Sequence, residues 1–228
     1  MPIEVSAAVK KSAKRCSVIA RTSQAGLTAS FFVMHPDDLR WPALFHDDKA
    51  YFLERSEQHT GSYFGGPFEG EIRGVNPPPW LHHIAMIGPR AFPPLNHLIG
   101  GGKIRLLYGM TYEGCELRYR NLTNHVELIS LSPTEPSADW PYVGYPPHLP
   151  YIPLRLGESF DCSIDQFNEL STQPSLEVTK RSEALIIIPA CPSLGMSLWG
   201  PSGDLNCVQL VCRYDLDTHT ASIGNQCG

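Results

Sequence analysis

The sequence predicts an α+β fold in which an N-terminal helix precedes two related strand-rich halves packed as one unit. Three observations lead there. Val5, Val9, Ala13, Cys16 and Ile19 recur at helical spacing near the N-terminus. The chain holds 19 glycines and 21 prolines in 228 residues, about one and a half times their usual combined share of about 12%, which favours short strands and many turns. The third is an internal echo. Ile84–Ile87 and Leu185–Ile188 are apolar runs 101 positions apart, and the glycine turns Gly102–Arg105 and Gly203–Asn206 repeat that offset. A later pair, Asn121–His125 against Asp215–His219, is offset by 94, which implies a shorter loop in the second copy.

Taken in chain order, residues 1–60 read as a helical region, with an amphipathic helix over residues 3–21. Lys10, Lys11, Lys14, Arg15 and Arg21 lie between its apolar positions, and Glu4 is the lone acid there, so the segment carries about +4. Five charges without interleaved aromatic residues are a weak nucleic-acid footprint, and a solvated helix face is the preferred reading. The first half spans 61–132. Within it Ile84–Ile87, bounded by Gly88-Pro89, reads as a buried strand, Lys103–Tyr108 as a second, and Cys115–Arg120 with His125–Leu131 as a hairpin. Residues 133–156 form a proline-rich crossover, which should be extended because proline fixes φ and lacks a donor. The second half, 157–228, opens with a short helix capped by Ser163 and continues with strands at Ala184–Ile188 and Leu205–Arg213.

Composition sets limits on function. Apolar residues at 42% and charged residues at 18% describe an ordinary globular chain, and a net charge of −5 gives no overall signal for polyanion binding. Seven cysteines are scattered, odd in number and never spaced CxxC, so they read as reduced thiols without a zinc site. No run approaches the ~18 apolar residues of a membrane span, and the basic N-terminus has no uninterrupted apolar core of a signal peptide after it. A cytoplasmic protein without membrane contact is expected.

The motif Ser62-Tyr-Phe-Gly-Gly-Pro67, followed by a Pro-Trp element, an apolar strand and a glycine turn into Leu106-Leu-Tyr-Gly109, resembles the first half of the YwqG-like family, a largely uncharacterised bacterial family. Gly195-Met-Ser-Leu-Trp-Gly-Pro-Ser-Gly-Asp-Leu205 is similar to the corresponding run of its second half. The resemblance covers roughly residues 60–215 through short motifs. It implies a duplicated α+β fold and supplies no established activity. Two departures stand out. The family often has an acid where this chain has Pro201, and Gly88-Pro89-Arg90 replaces acids that commonly follow the first strand.

The candidate sites follow from residue chemistry. His82 and His83 are adjacent, so on a strand they point to opposite faces and do not chelate one ion together; they read as hydrogen-bonded strand histidines. A metal-dependent hydrolase is the strongest enzyme alternative, with His35, His46, His82 or His97 as ligands beside Asp37 or Asp47. Neither His35-Pro-Asp-Asp38 nor His46-Asp-Asp48 has the i, i+4 register of a helical zinc motif, and acid-rich turns explain both. Gly100-Gly-Gly-Lys103 lacks the hydroxyl residue and helix of a phosphate loop and reads as a hairpin turn. Cys162 precedes the short helix, but Asp161 beside it opposes thiolate formation. What remains is aromatic and proline-rich surface. The sequence therefore predicts a non-enzymatic binding or interaction protein, using the cleft between the halves or Trp140, Tyr142, Tyr145 and Tyr151 of the crossover. No cofactor is expected, and the partner is an unspecified protein or small molecule.

Overall fold

The structure, a computed structural model, describes residues 40–75, 79–98, 102–112, 114–134, 147–171, 175–189 and 208–227. Among them β1 (Arg40–His46) and β2 (Lys49–Arg55) form a hairpin, followed by β3 (Ser62–Phe64), β4 (Glu71–Arg73) and β5 (His82–Ile87). Next come β6 (Ile104–Tyr108), β7 (Glu116–Asn121), β8 (His125–Ser132) and β9 (Ile152–Asp161). The helix α1 (Ile164–Ser171) then precedes β10 (Glu183–Pro189), β11 (Val208–Asp215) and β12 (Thr220–Cys227). All twelve strands join one sheet in the order β4-β8-β7-β12-β11-β10-β1-β2-β9-β3-β5-β6. Neighbours are antiparallel except for the parallel pair β4–β8.

This overturns the α+β expectation. The described residues form a large mixed sheet with one short α-helix. The expected helix over 3–21 lies outside the described residues. Nor do the strands separate into two successive halves, because β9 is inserted between β2 and β3 while β7 and β8 lie beside β12. Three strands lie where helix or crossover was expected, and each has a local reason. Pro42 within β1 sits at an irregularity between Arg40 and Ala43, which spares the ladder the donor that proline lacks. The β1–β2 turn is made by Asp47 and Asp48, both at positive φ (49° and 54°), as two-residue hairpins require. β9 runs on from the proline-rich crossover. Pro153 accepts from the Ser56 N–H beyond the last β2 pairing, so its missing donor faces no partner strand. The short helix is as expected: Ser163 Oγ accepts from Gln166 N, and Gln166 Oε1 accepts in return from Ser163 N, a reciprocal capping box.

β10 reads as an unbroken apolar run because both of its faces are covered. Ala184, Ile186 and Ile188 join the main core, whereas Leu185 and Ile187 pack with Phe45 and Ala43 of β1 under α1. Phe167 of α1 is fully buried there, its ring 5.2 Å from that of Phe45. The main core draws on strands from both ends of the sheet. The sheet therefore curls until β6 meets β7, and side chains rather than a ladder close the gap. Tyr119 Oη donates to the Arg105 carbonyl (2.8 Å) and accepts from the Leu107 N–H (2.9 Å), while Asn121 Oδ1 accepts from the Arg105 N–H (3.0 Å). These contacts satisfy edge groups that would otherwise be buried unpaired. Tyr119→Phe is expected to cost about 2 kcal/mol, because the Leu107 N–H loses its acceptor while the ring stays packed. Urea unfolding checks this, and an unchanged midpoint would show that the bond to Leu107 adds nothing.

Candidate functional site

The site begins with two glycines after β3. Gly65 (φ 64°) and Gly66 (φ 74°) turn the chain so that Gly65 N–H donates to the Ile84 carbonyl (2.9 Å) and Gly66 N–H to the Leu149 carbonyl (2.8 Å). The Gly65 carbonyl then faces β5, where His83 Nδ1 donates to it at 2.9 Å. A carbonyl only accepts, so the imidazole proton sits on Nδ1 and Nε2 keeps its lone pair. His83 is 3% exposed, and among the described residues Nε2 has no hydrogen-bond partner. Burial, opposed by the backbone at Gly65, Ala85 and Gly66, pulls the His83 pKa down to about 4, so the ring is neutral at physiological pH.

Aromatic rings surround this imidazole. Tyr63 stands edge-on at 5.3 Å and Phe68 lies tilted at 6.0 Å. Tyr151 packs 4.8 Å from Tyr63, and its Oη meets His59 Nδ1 at 2.8 Å, so a ladder of rings runs from the surface to His83. Burial first, then the Glu69 carboxylate, pushes the Tyr63 phenol up, which keeps it protonated.

His83 also lines an open groove of about 790 Å³ between β4, β5 and residues 147–148. Phe68, Ile72, Val75, Trp80 and Leu81 make its apolar wall. Trp80 is 56% exposed and Val75 also stands out to solvent, so this rim presents apolar surface to water. The charged part of the wall is Arg73, whose Nε and Nη2 both donate to one Glu71 carboxylate oxygen at 2.9 and 2.7 Å. That guanidinium holds the Glu71 carboxyl below its ordinary range, and the two charges cancel.

The residues named from sequence are distributed as follows. Tyr151 belongs to the aromatic ladder, whereas Trp140, Tyr142 and Tyr145 lie outside the described residues, as do His35 and Asp37. His82 is buried in β5. His46 closes β1 with Nδ1 against the Glu183 carbonyl (3.1 Å), Asp47 is exposed and ion-paired with Arg181 (3.4 Å), and His97 is exposed at the end of the 3-10 turn Pro93–His97. Among the described residues, no three of His, Cys, Asp and Glu gather as metal ligands would. Cys115, Cys162 and Cys212 are free and buried. Burial pushes each thiol up, Cys115 to about 11, which opposes nucleophilic use.

Sequence reasoning missed His83 as a lone acceptor, because it weighed His82 and His83 together as a chelating pair. A bulge between His83 and Ala85 also breaks the strict alternation used to assign faces. The available signal was the Gly65-Gly66 pair, whose turn presents a carbonyl to the strand 18 residues on. Among the described residues no helix is long and apolar enough to cross a membrane. Compared with known proteins, the chain matches no family model, no curated protein and no solved structure.

Proposed function

We propose that the protein is a cytoplasmic, non-enzymatic binding protein whose ligand is a small molecule held in the cavity beside His83. The carrying observation is an open groove of about 790 Å³ whose wall mixes apolar side chains with Glu71, Arg73, His83 and His148, and where Trp80 stands half in solvent. Its size falls within the roughly 300–1,000 Å³ of ordinary small-molecule sites, which share this mixture of apolar wall and few polar groups. The free thiols at Cys115, Cys162 and Cys212 support a reducing compartment. The YwqG-like resemblance rests on its short motifs and assigns no ligand. The metal-hydrolase alternative gains no support from the described candidates, since His46, Asp47, His82 and His97 form no ligand group.

The test is a screen of small aromatic fragments by ligand-observed NMR against the wild type and Trp80→Ala. Fragments should bind the wild type and lose roughly tenfold in affinity on losing the indole, about 1.4 kcal/mol. Thermal stability should hold, because that side chain is largely exposed. Absence of binding, or binding indifferent to Trp80, would sink the reading.

A further inference from the structure

We infer that His83 sets the specificity of this cavity, and that the ligand is a small, neutral, planar molecule carrying an N–H or O–H donor on an aromatic ring. The inference rests on the cavity reading above and adds the chemistry of what enters it. Each attribute comes from one wall feature. Planarity follows from Trp80, a flat ring in the apolar lining that stays in place when a ligand enters. Neutrality follows from the Glu71–Arg73 pair: the carboxylate is already taken by both guanidinium donors, so neither charge calls for a counter-charge on the ligand.

The donor follows from His83. Its Nδ1–H is committed to the Gly65 carbonyl, and its Nε2 is a buried acceptor that no partner among the described residues fills. Unfilled buried acceptors are rare because desolvating them without a partner is unfavourable, and this one adjoins a groove from which a ligand could fill it. The free electron pair accepts and cannot donate, so carbonyls, ethers and carboxylates find no partner there. Nε2 has almost no accessible surface of its own, so ligand binding there requires a wall side chain to move, and half-buried Phe68, packed on the imidazole, is the one we infer moves.

Indole and benzofuran are the probes, nearly isosteric bicycles of which only indole carries a donor. Isothermal titration of both against the wild type should show indole binding roughly tenfold tighter or more. Nitrogen-15 NMR of the labelled imidazole should show Nε2 shifting on indole addition and still on benzofuran addition. His83→Leu should bind both equally. The wild-type comparison decides the matter even if that variant folds poorly. Equal binding of the two probes by the wild type, with Nε2 unmoved, overturns the role of His83 and leaves the cavity as a site. Failure of both probes to bind overturns the cavity reading as well.

Discussion

Replacing Gly65 with alanine is expected to destabilise the protein by about 3 kcal/mol or more, the sum of a backbone penalty and a steric one. Gly65 sits at φ 64°, where a Cβ is unfavourable in any surroundings. Here that Cβ would also overlap the Pro150 carbonyl oxygen and lie 2.9 Å from the Leu149 carbonyl carbon and oxygen. Those are backbone atoms, and they recede only by moving the segment that accepts the Gly66 N–H. Two other glycines separate the contributions. Gly61, at φ 83°, has nothing within 4 Å of its would-be Cβ, so Gly61→Ala reports the conformational penalty alone. Gly66, at φ 74°, would meet the Tyr151 ring at 3.1 Å, and that side chain is exposed enough to swing aside. Urea unfolding should rank the losses Gly65→Ala, then Gly66→Ala, then Gly61→Ala. A Gly65 variant no worse than the Gly61 one would mean that the Leu149–Pro150 backbone does not confine this turn.

That turn marks the boundary of what the sequence makes legible. Elements with a one-dimensional signature are readable: α1 from its Ser163 cap, β10 from an unbroken apolar run, β7 and β8 from a turn between alternating segments. Elements whose sequence breaks a local rule are not. Pro42 argues against a central strand unless the irregularity beside it is foreseen, and Asp47-Asp48 adopts a positive-φ turn without the usual glycine or asparagine. In β9, Gly157 is the extra residue opposite the Phe52–Leu53 step, where a Cβ would strike the Glu54 side chain. The first two are settled within the β1–β2 hairpin, whereas Gly157 answers to β2, some hundred residues away in sequence. The site is less legible still, because the chemistry of His83 depends on a carbonyl 18 residues away and on walls from β4 and residues 147–148. From the chain alone, Tyr151 could be named as an aromatic of the crossover and His83 as a hydrogen-bonded strand histidine, but not their place in one site.

The same burial that leaves Nε2 unfilled makes stability depend on pH. An unfolded chain carries His83 at its ordinary pKa of 6.5, while the folded protein holds it at about 4. Burial is the main cause; the Gly65 carbonyl pulls the other way and the Arg105 charge adds a smaller depression. Between these values the unfolded state binds a proton that the folded state refuses, so unfolding takes up a proton and stability rises with pH across this window. The contribution is fully present above pH 6.5 and falls away by about 3 kcal/mol as pH drops to about 4. The Glu183 and Asp215 carboxyls, both held below their ordinary values, add a loss of the same sign at lower pH. The informative quantity is therefore a difference between proteins. Asparagine can still donate to the Gly65 carbonyl but does not titrate, so His83→Asn should flatten the slope between pH 6.5 and 4 while leaving the carboxylate-driven loss in place. Proton NMR of the folded wild type should place the His83 midpoint near 4. A midpoint near 6.5, or parallel stability curves for the two proteins, would show that the imidazole reaches water freely. Nε2 would then be hydrated, and a donor ligand would gain little by replacing that water.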